Sequence, residues 1–254
     1  MTFGSAALDF EMISKPSSGR FFSVVRRVRL GDVSPGGRLR LDALVQYLQD
    51  VSNDDSRDAS WSDPHGWVVR RTVLDIHEVA KYLQEVRLTT WCGGLGSHWA
   101  ERRTQVCTLD GAVLIDAATL WVHIDMQTMK PLVVPQDVVD VVHDTTEGRK
   151  VSSRLMLKGA VVTPTHVLSW PLRFTDFDTL GHVNNAAYWQ VTEELLGMYP
   201  KIRQNMRAII EHVNPIDPGT IIEIEVGETS QTNVAVMLRS NLGVHATMWL
   251  GLRR

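Results

Sequence analysis

Two stretches of the chain place apolar residues at helical spacing: Leu44, Leu48 and Val51, and Ala187, Val191 and Leu195. Each set lines up as one stripe, which predicts a helix that buries one face and leaves the other wet. Elsewhere the period is two. WVVRRTVLDIHEV from Trp67, YLQEVRLTTWC from Tyr82, SHWAERRTQVCTLDG from Ser97 and AVLIDAATLWVHID from Ala112 follow the first helix. TIIEIEVGET from Thr220, TNVAVMLRS from Thr232 and VHATMWLGL from Val244 follow the second. Their β-branched and aromatic residues alternate with polar ones, which predicts antiparallel strands. A helix followed by a meander of strands, met twice, predicts an α+β fold in which each sheet covers its own helix.

The two halves also align with each other. VRLGDVSPGGRLRLDALVQYLQD from Val28 lies without a gap on LRFTDFDTLGHVNNAAYWQVTEE from Leu172, a shift of 144 positions. Arg29 falls on Arg173, Asp32 on Asp176, Gly37 on Gly181, Ala43 on Ala187 and Gln46 on Gln190. Near the end of each half, ATLWV from Ala118 resembles ATMWL from Ala246, at a shift that has shrunk to 128. Loop deletions between shared elements produce such shrinkage, so the chain reads as a duplicated unit with its two sheets joined into one wall around two helices. Residues 1–20 form a flexible lead-in ending in KPSSGR, residues 21–135 the first unit and residues 166–254 the second. Residues 136–165 match neither copy and form the connection, with a boundary near Lys158 and a short helix at DVVDVVHD.

Composition narrows the function. With 26 basic against 29 acidic side chains among 254 residues, the net charge is −3 and no nucleic-acid partner is expected. No stretch approaches the about 18 apolar residues of a membrane span, and the amino terminus lacks a signal-peptide pattern, which points to a cytoplasmic protein. Cys92 and Cys107 lack CxxC spacing and read as reduced strand residues. His65, His77, His98 and His123 show no HxH or HxxxH spacing, so no metal is expected.

The segment DFDTLGHVNNAAYW from Asp176 concentrates two carboxylates, a glycine, a histidine and two asparagines ahead of the second helix. It resembles the motif of hotdog-fold thioesterases. Together with the duplication and the strand pattern around Thr90 and Trp91, it is similar to the acyl-acyl-carrier-protein thioesterases. That resemblance implies a tandem hotdog: two long helices wrapped by a continuous antiparallel sheet. It also implies hydrolysis of fatty acyl thioesters of acyl-carrier protein or coenzyme A, with no cofactor, by a monomer or homodimer. Carried over residue by residue, the family's carboxylate is Asp178 and its histidine His182. Its asparagine position holds Leu180, and its strand glutamate falls around Asn214 to Ile216, where no acid stands.

Thioester hydrolysis needs a positioned water, a base and donors for the oxyanion. Asp178 is a candidate base, and His182, with an ordinary pKa near ~6.5, can act as base or polarise the thioester. Backbone N–H groups from Gly181 to Val183, at the positive end of the helix dipole, are candidate oxyanion donors, and Asn184 and Asn185 candidate substrate contacts. Each has a plainer reading. Asn184 or Asn185 suits a helix N-cap or turn, and Gly181, like Gly37, suits a positive φ. Glu193 and Glu194 read as a solvated helix face. Arg70/Arg71 and Arg102/Arg103 read as outward strand charges or as contacts for an acidic carrier. Two other functions use the same residues: a catalytically degenerate double hotdog that binds acyl chains or a protein, and a hotdog hydratase or dehydratase.

Overall fold

The computed structural model describes residues 9–61, 66–157, 163–203, 205–230 and 232–253. The first eight residues of the lead-in and the boundary at Lys158 lie outside them. Among the described residues ten strands form one antiparallel sheet. In the first half these are β1 (Phe22–Arg27), β2 (Gly66–Ile76), β3 (Glu85–Leu95), β4 (Trp99–Thr108) and β5 (Val113–Ile124). In the second they are β6 (His166–Trp170), β7 (Met206–His212), β8 (Ile222–Ser230), β9 (Asn233–Ser240) and β10 (Gly243–Leu252). The order across the sheet is β1-β3-β4-β5-β2-β7-β10-β9-β8-β6. It reads as the same five-strand unit from either edge. The units join at β2 and β7, where Arg71 faces Glu211 and Ile76 faces Met206 in register.

Helix α1 (Leu41–Asp58) belongs to the first half and α3 (Tyr188–Met198) to the second. Both predicted stripes are buried, and the helices pack against each other on the concave side of the sheet. Burying a side chain such as Leu44 or Leu195 contributes about 1.5–3 kcal/mol. The fold is thus α+β with both helices wrapped by one sheet. The second helix is the shorter, at 11 residues against 18.

The central strands are covered on both faces, which blurs their period-two pattern. On the convex side Val73, Ala118, Ile209 and Trp249 lie under Leu157 of the connection and under Phe10 and Met12 of the amino-terminal segment. Phe10 lies beneath the guanidinium groups of Arg71 and Arg103, 5.5 and 5.2 Å from its ring. Arg20 pairs with Asp55 at 2.8 Å. The connection contains α2 (Gln136–Thr146), as DVVDVVHD suggested, and Val138 and Val142 turn from it toward Leu95 and Trp67.

Candidate active site

The two loops aligned by sequence have the same backbone hydrogen bonds. Asp32 and Asp176 each accept the N–H three residues earlier, from Arg29 and Arg173, at 2.7 Å. Gly37 and Gly181 stand at φ +75° and +77°, and their N–H groups donate to Ser34 and Asp178. Arg40 and Asn184 donate to the carbonyls of Asp32 and Asp176. The shared geometry explains Gly181 as a backbone requirement, because φ in this region costs a residue with a Cβ about 1–2 kcal/mol. Asp176, buried at 1% exposure and held by Arg173, is the structural carboxylate of its loop.

What differs between the loops is chemistry. Asp178 is half-buried, and its Oδ1 accepts the Leu180 N–H at 2.9 Å while its own N–H donates to the His182 carbonyl. Its charge, added to burial, raises the Tyr188 hydroxyl pKa. His182 Nε2 lies 3.5 Å from Asp217 Oδ1. Asp217 arrives because the Val183 N–H donates to the Ile216 carbonyl, fixing the loop after β7 against the motif. The stretch from Asn214 to Ile216 is therefore loop rather than strand, and the nearest acid is one residue further on.

The expected oxyanion donors need correction. Gly181 and Val183 spend their N–H groups on Asp178 and Ile216, and α3 begins only at Tyr188, so these amides do not sit at its first turn. Among the described residues the N–H groups of His182 and Asn185 have no acceptor. The Val183 side chain is 4% exposed and packs in the core. Asn184 is a turn residue whose Oδ1 accepts the Ala186 N–H at 2.8 Å. Asn185 reaches across the molecule.

A cavity of about 310 Å³ lies in the first half between α1, α2 and the sheet. Gln49, Ser52 and Trp121 line it and also border a small gap that Asn185 closes. Asp178, Gly181 and His182 do not line that gap; they precede Asn185 in the same loop. The Cys92 thiol, on the cavity wall, is pushed up to about 11 by burial, which leaves it unreactive.

The duplication identifies a residue that sequence reading passed over. Gln49 corresponds to Glu193, and Asn185 to Leu41. Glu193 is not solvated: its side chain is 11% exposed, pairs with Arg38, the counterpart of His182, and accepts the Leu41 N–H at 3.3 Å. An ion pair therefore joins Arg38 and Glu193 in the first-half arrangement, and the residues that correspond to it in the second half are His182 and Gln49. The alignment carried this signal in the match of positions 49 and 193. Nothing local announced Asp217. The basic pairs are tied internally, Arg70 to the His212 carbonyl, Arg71 to Glu211, Arg102 to Asp55 and Arg103 to Glu101.

A duplicated helix-in-sheet unit with one chemically distinct loop beside a cavity is the architecture of a double hotdog. Solved structures agree on the fold. The 12:0-ACP thioesterase from Umbellularia californica superimposes with a TM-score of 0.75 at 15% identity, covering 93% of this chain and 98% of that one. An acyl-ACP thioesterase from Bacteroides thetaiotaomicron gives 0.73 at 19% identity, over 91% and 97%. Residues 20–142 match the acyl-ACP thioesterase N-terminal domain and residues 161–248 the C-terminal domain, and the chain belongs to that family. The uncharacterized protein Rv2001 of Mycobacterium tuberculosis is 29% identical over 85% of this chain and 86% of its own length. The chloroplastic acyl-[acyl-carrier-protein] hydrolase FATB3 of Cuphea viscosissima is 24% identical over 60% of this chain, which spans 42% of that protein.

Proposed function

We propose that the protein hydrolyses acyl thioesters of acyl-carrier protein or coenzyme A to the free acid. The observation that carries this reading is that Asn185, three residues past His182, lines a small gap whose other walls include Gln49, Ser52 and Trp121 of the cavity in the opposite half. The acyl group enters the cavity and its carbonyl stops at the gap, within reach of the N–H groups of Asn185 and His182. Asp178, with Oδ1 held by Leu180, takes a proton through Oδ2 from the water that attacks the carbonyl carbon. The tetrahedral oxyanion then collapses, the carbon–sulfur bond breaks, and His182, steadied by Asp217, gives its proton to the leaving sulfur. Gln49 orients the water or the carbonyl.

The test is release of free thiol from acyl-coenzyme A and acyl-carrier-protein substrates. Asp178→Asn and His182→Ala each lower kcat about 10²–10⁴-fold with unchanged unfolding midpoints. Unaltered turnover in both overturns the assignment. A second reading, an acyl-binding protein without turnover, is favoured by Leu180, 46% exposed at the position where the family has asparagine. Tight binding of acyl thioesters with no thiol released establishes it.

A further inference from the structure

Taking His182, steadied by Asp217, as the acid that protonates the leaving sulfur, as proposed above, we infer that His245 is a positioning residue for this pair, acting from behind the loop that carries Asp217. Asp217 does not hold its own place. Its side chain is 63% exposed, so its distance of 3.5 Å to His182 is set by the backbone beneath it. That backbone leaves β7 at Val213 and is fastened at Ile216, whose side chain is buried and whose carbonyl receives the Val183 N–H.

Behind the loop stands β10. Its pairing with β9 shifts between Val244 and Ala246, which makes His245 the extra residue of a β-bulge. A bulge takes its residue out of the ladder and re-aims the side chain. Both effects serve the same loop. The His245 carbonyl accepts the N–H groups of Val213 and Asn214 at 2.8 and 3.2 Å, and the ring Nδ1 lies 2.8 Å from the Pro215 carbonyl. Asn214 answers with its side-chain amide, which donates to the Val244 carbonyl at 2.7 Å. A carbonyl can only accept, so Nδ1 carries a proton, and in that tautomer the Ser240 hydroxyl donates to Nε2 at 2.7 Å. Ser240 itself accepts the Leu242 N–H at 3.0 Å. The residue, 4% exposed, is thus held in one ring orientation with its donor aimed at the loop. The duplication marks this tether as special to one half. At the shift of 128 positions His245 falls on Ala117, in a regular stretch of β5. The imidazole and its bulge therefore stand in the half whose loop carries His182, and an alanine stands in the half whose loop carries Arg38.

The test measures thiol release from an acyl-coenzyme A and amide hydrogen exchange in the same variants. His245→Gln keeps a polar group at the Nε2 position and loses the donor to Pro215. It is expected to lower kcat about 10–10²-fold with KM unchanged, and to speed exchange at Asn214 and Val183. His245→Asn restores an N–H at the Nδ1 position and recovers most of both. Added to Asp217→Asn, His245→Gln costs no further kcat, because the two act through one pair. Wild-type kcat in His245→Gln or in Asp217→Asn, equal losses in His245→Gln and His245→Asn, or losses that add in full overturn the inference. A wild-type protein that releases no thiol sinks the hydrolytic reading alone. Exchange at Val183 then decides the positioning: faster in His245→Gln upholds it, and unaltered overturns it.

Discussion

His212 shows how one side chain with a buried ring nitrogen sets a condition on the whole fold. It ends β7 with its ring edge-on to Tyr188 at 4.7 Å, and its Nε2 is buried without a partner among the described residues. Burial, with Arg70 nearby, lowers its pKa from 6.5 to about 4. The unfolded chain therefore binds a proton that the native state refuses between those values, and stability is lost as pH falls through that window. The loss amounts to about 3 kcal/mol at the acidic end. Urea unfolding at pH 7 and pH 4.5 is expected to show a lower midpoint in acid, and His212→Phe to remove this share of the difference. A pH dependence identical in the variant contradicts the account.

At the scale of elements, the pair between Arg38 and Glu193 does for the first-half loop what no catalytic residue does: it closes it. The side chains are 18% and 11% exposed and join the loop before α1 to α3. Glu193→Ala leaves a largely buried guanidinium unpaired and the Leu41 N–H without its acceptor, a loss of about 3 kcal/mol. Glu193→Gln keeps an acceptor and costs less, and Arg38→Ala added to Glu193→Ala costs little more, as a double-mutant cycle in urea measures. This contact was hidden from sequence reading because it spans 155 positions and because Glu193, two residues past Val191, looked outward on a lone helix. The helices and most strands were legible, since Leu44, Leu48 and Val51 encode a buried face within one short window. The candidate site was legible only in its second-half loop. Asp178 and His182 stood out against Ser34 and Arg38, whereas Gln49, Asp217 and Trp121 enter through packing.

For the molecule as a whole, the seam between β2 and β7 decides whether two units behave as one. Asp75 on β2, 1% exposed, receives Arg207 of β7 at 2.6 and 2.8 Å and Arg253 at 3.2 Å. Asp75→Asn keeps the shape and removes the buried charge that receives Arg207 and Arg253 across the seam, at a cost of about 3 kcal/mol. Scanning calorimetry is expected to show a lower transition temperature, and an unchanged one refutes the role of this tie. The tandem order of the chain was visible in the 144-position shift between Val28 and Leu172. That Asn185 of one unit lines a gap beside the hollow of the other was not, because it follows from how the sheets meet.

One wall of that hollow is built by a helix that lies between β5 and β6. Val138 and Val142 line the cavity from α2. Under the reading proposed here, the stop that measures the substrate is carried by a connector, apart from the residues that cut. Lengthening, shortening or tilting one small helix would then retune which molecules fit while both ancestral units and their shared seam stay as they are.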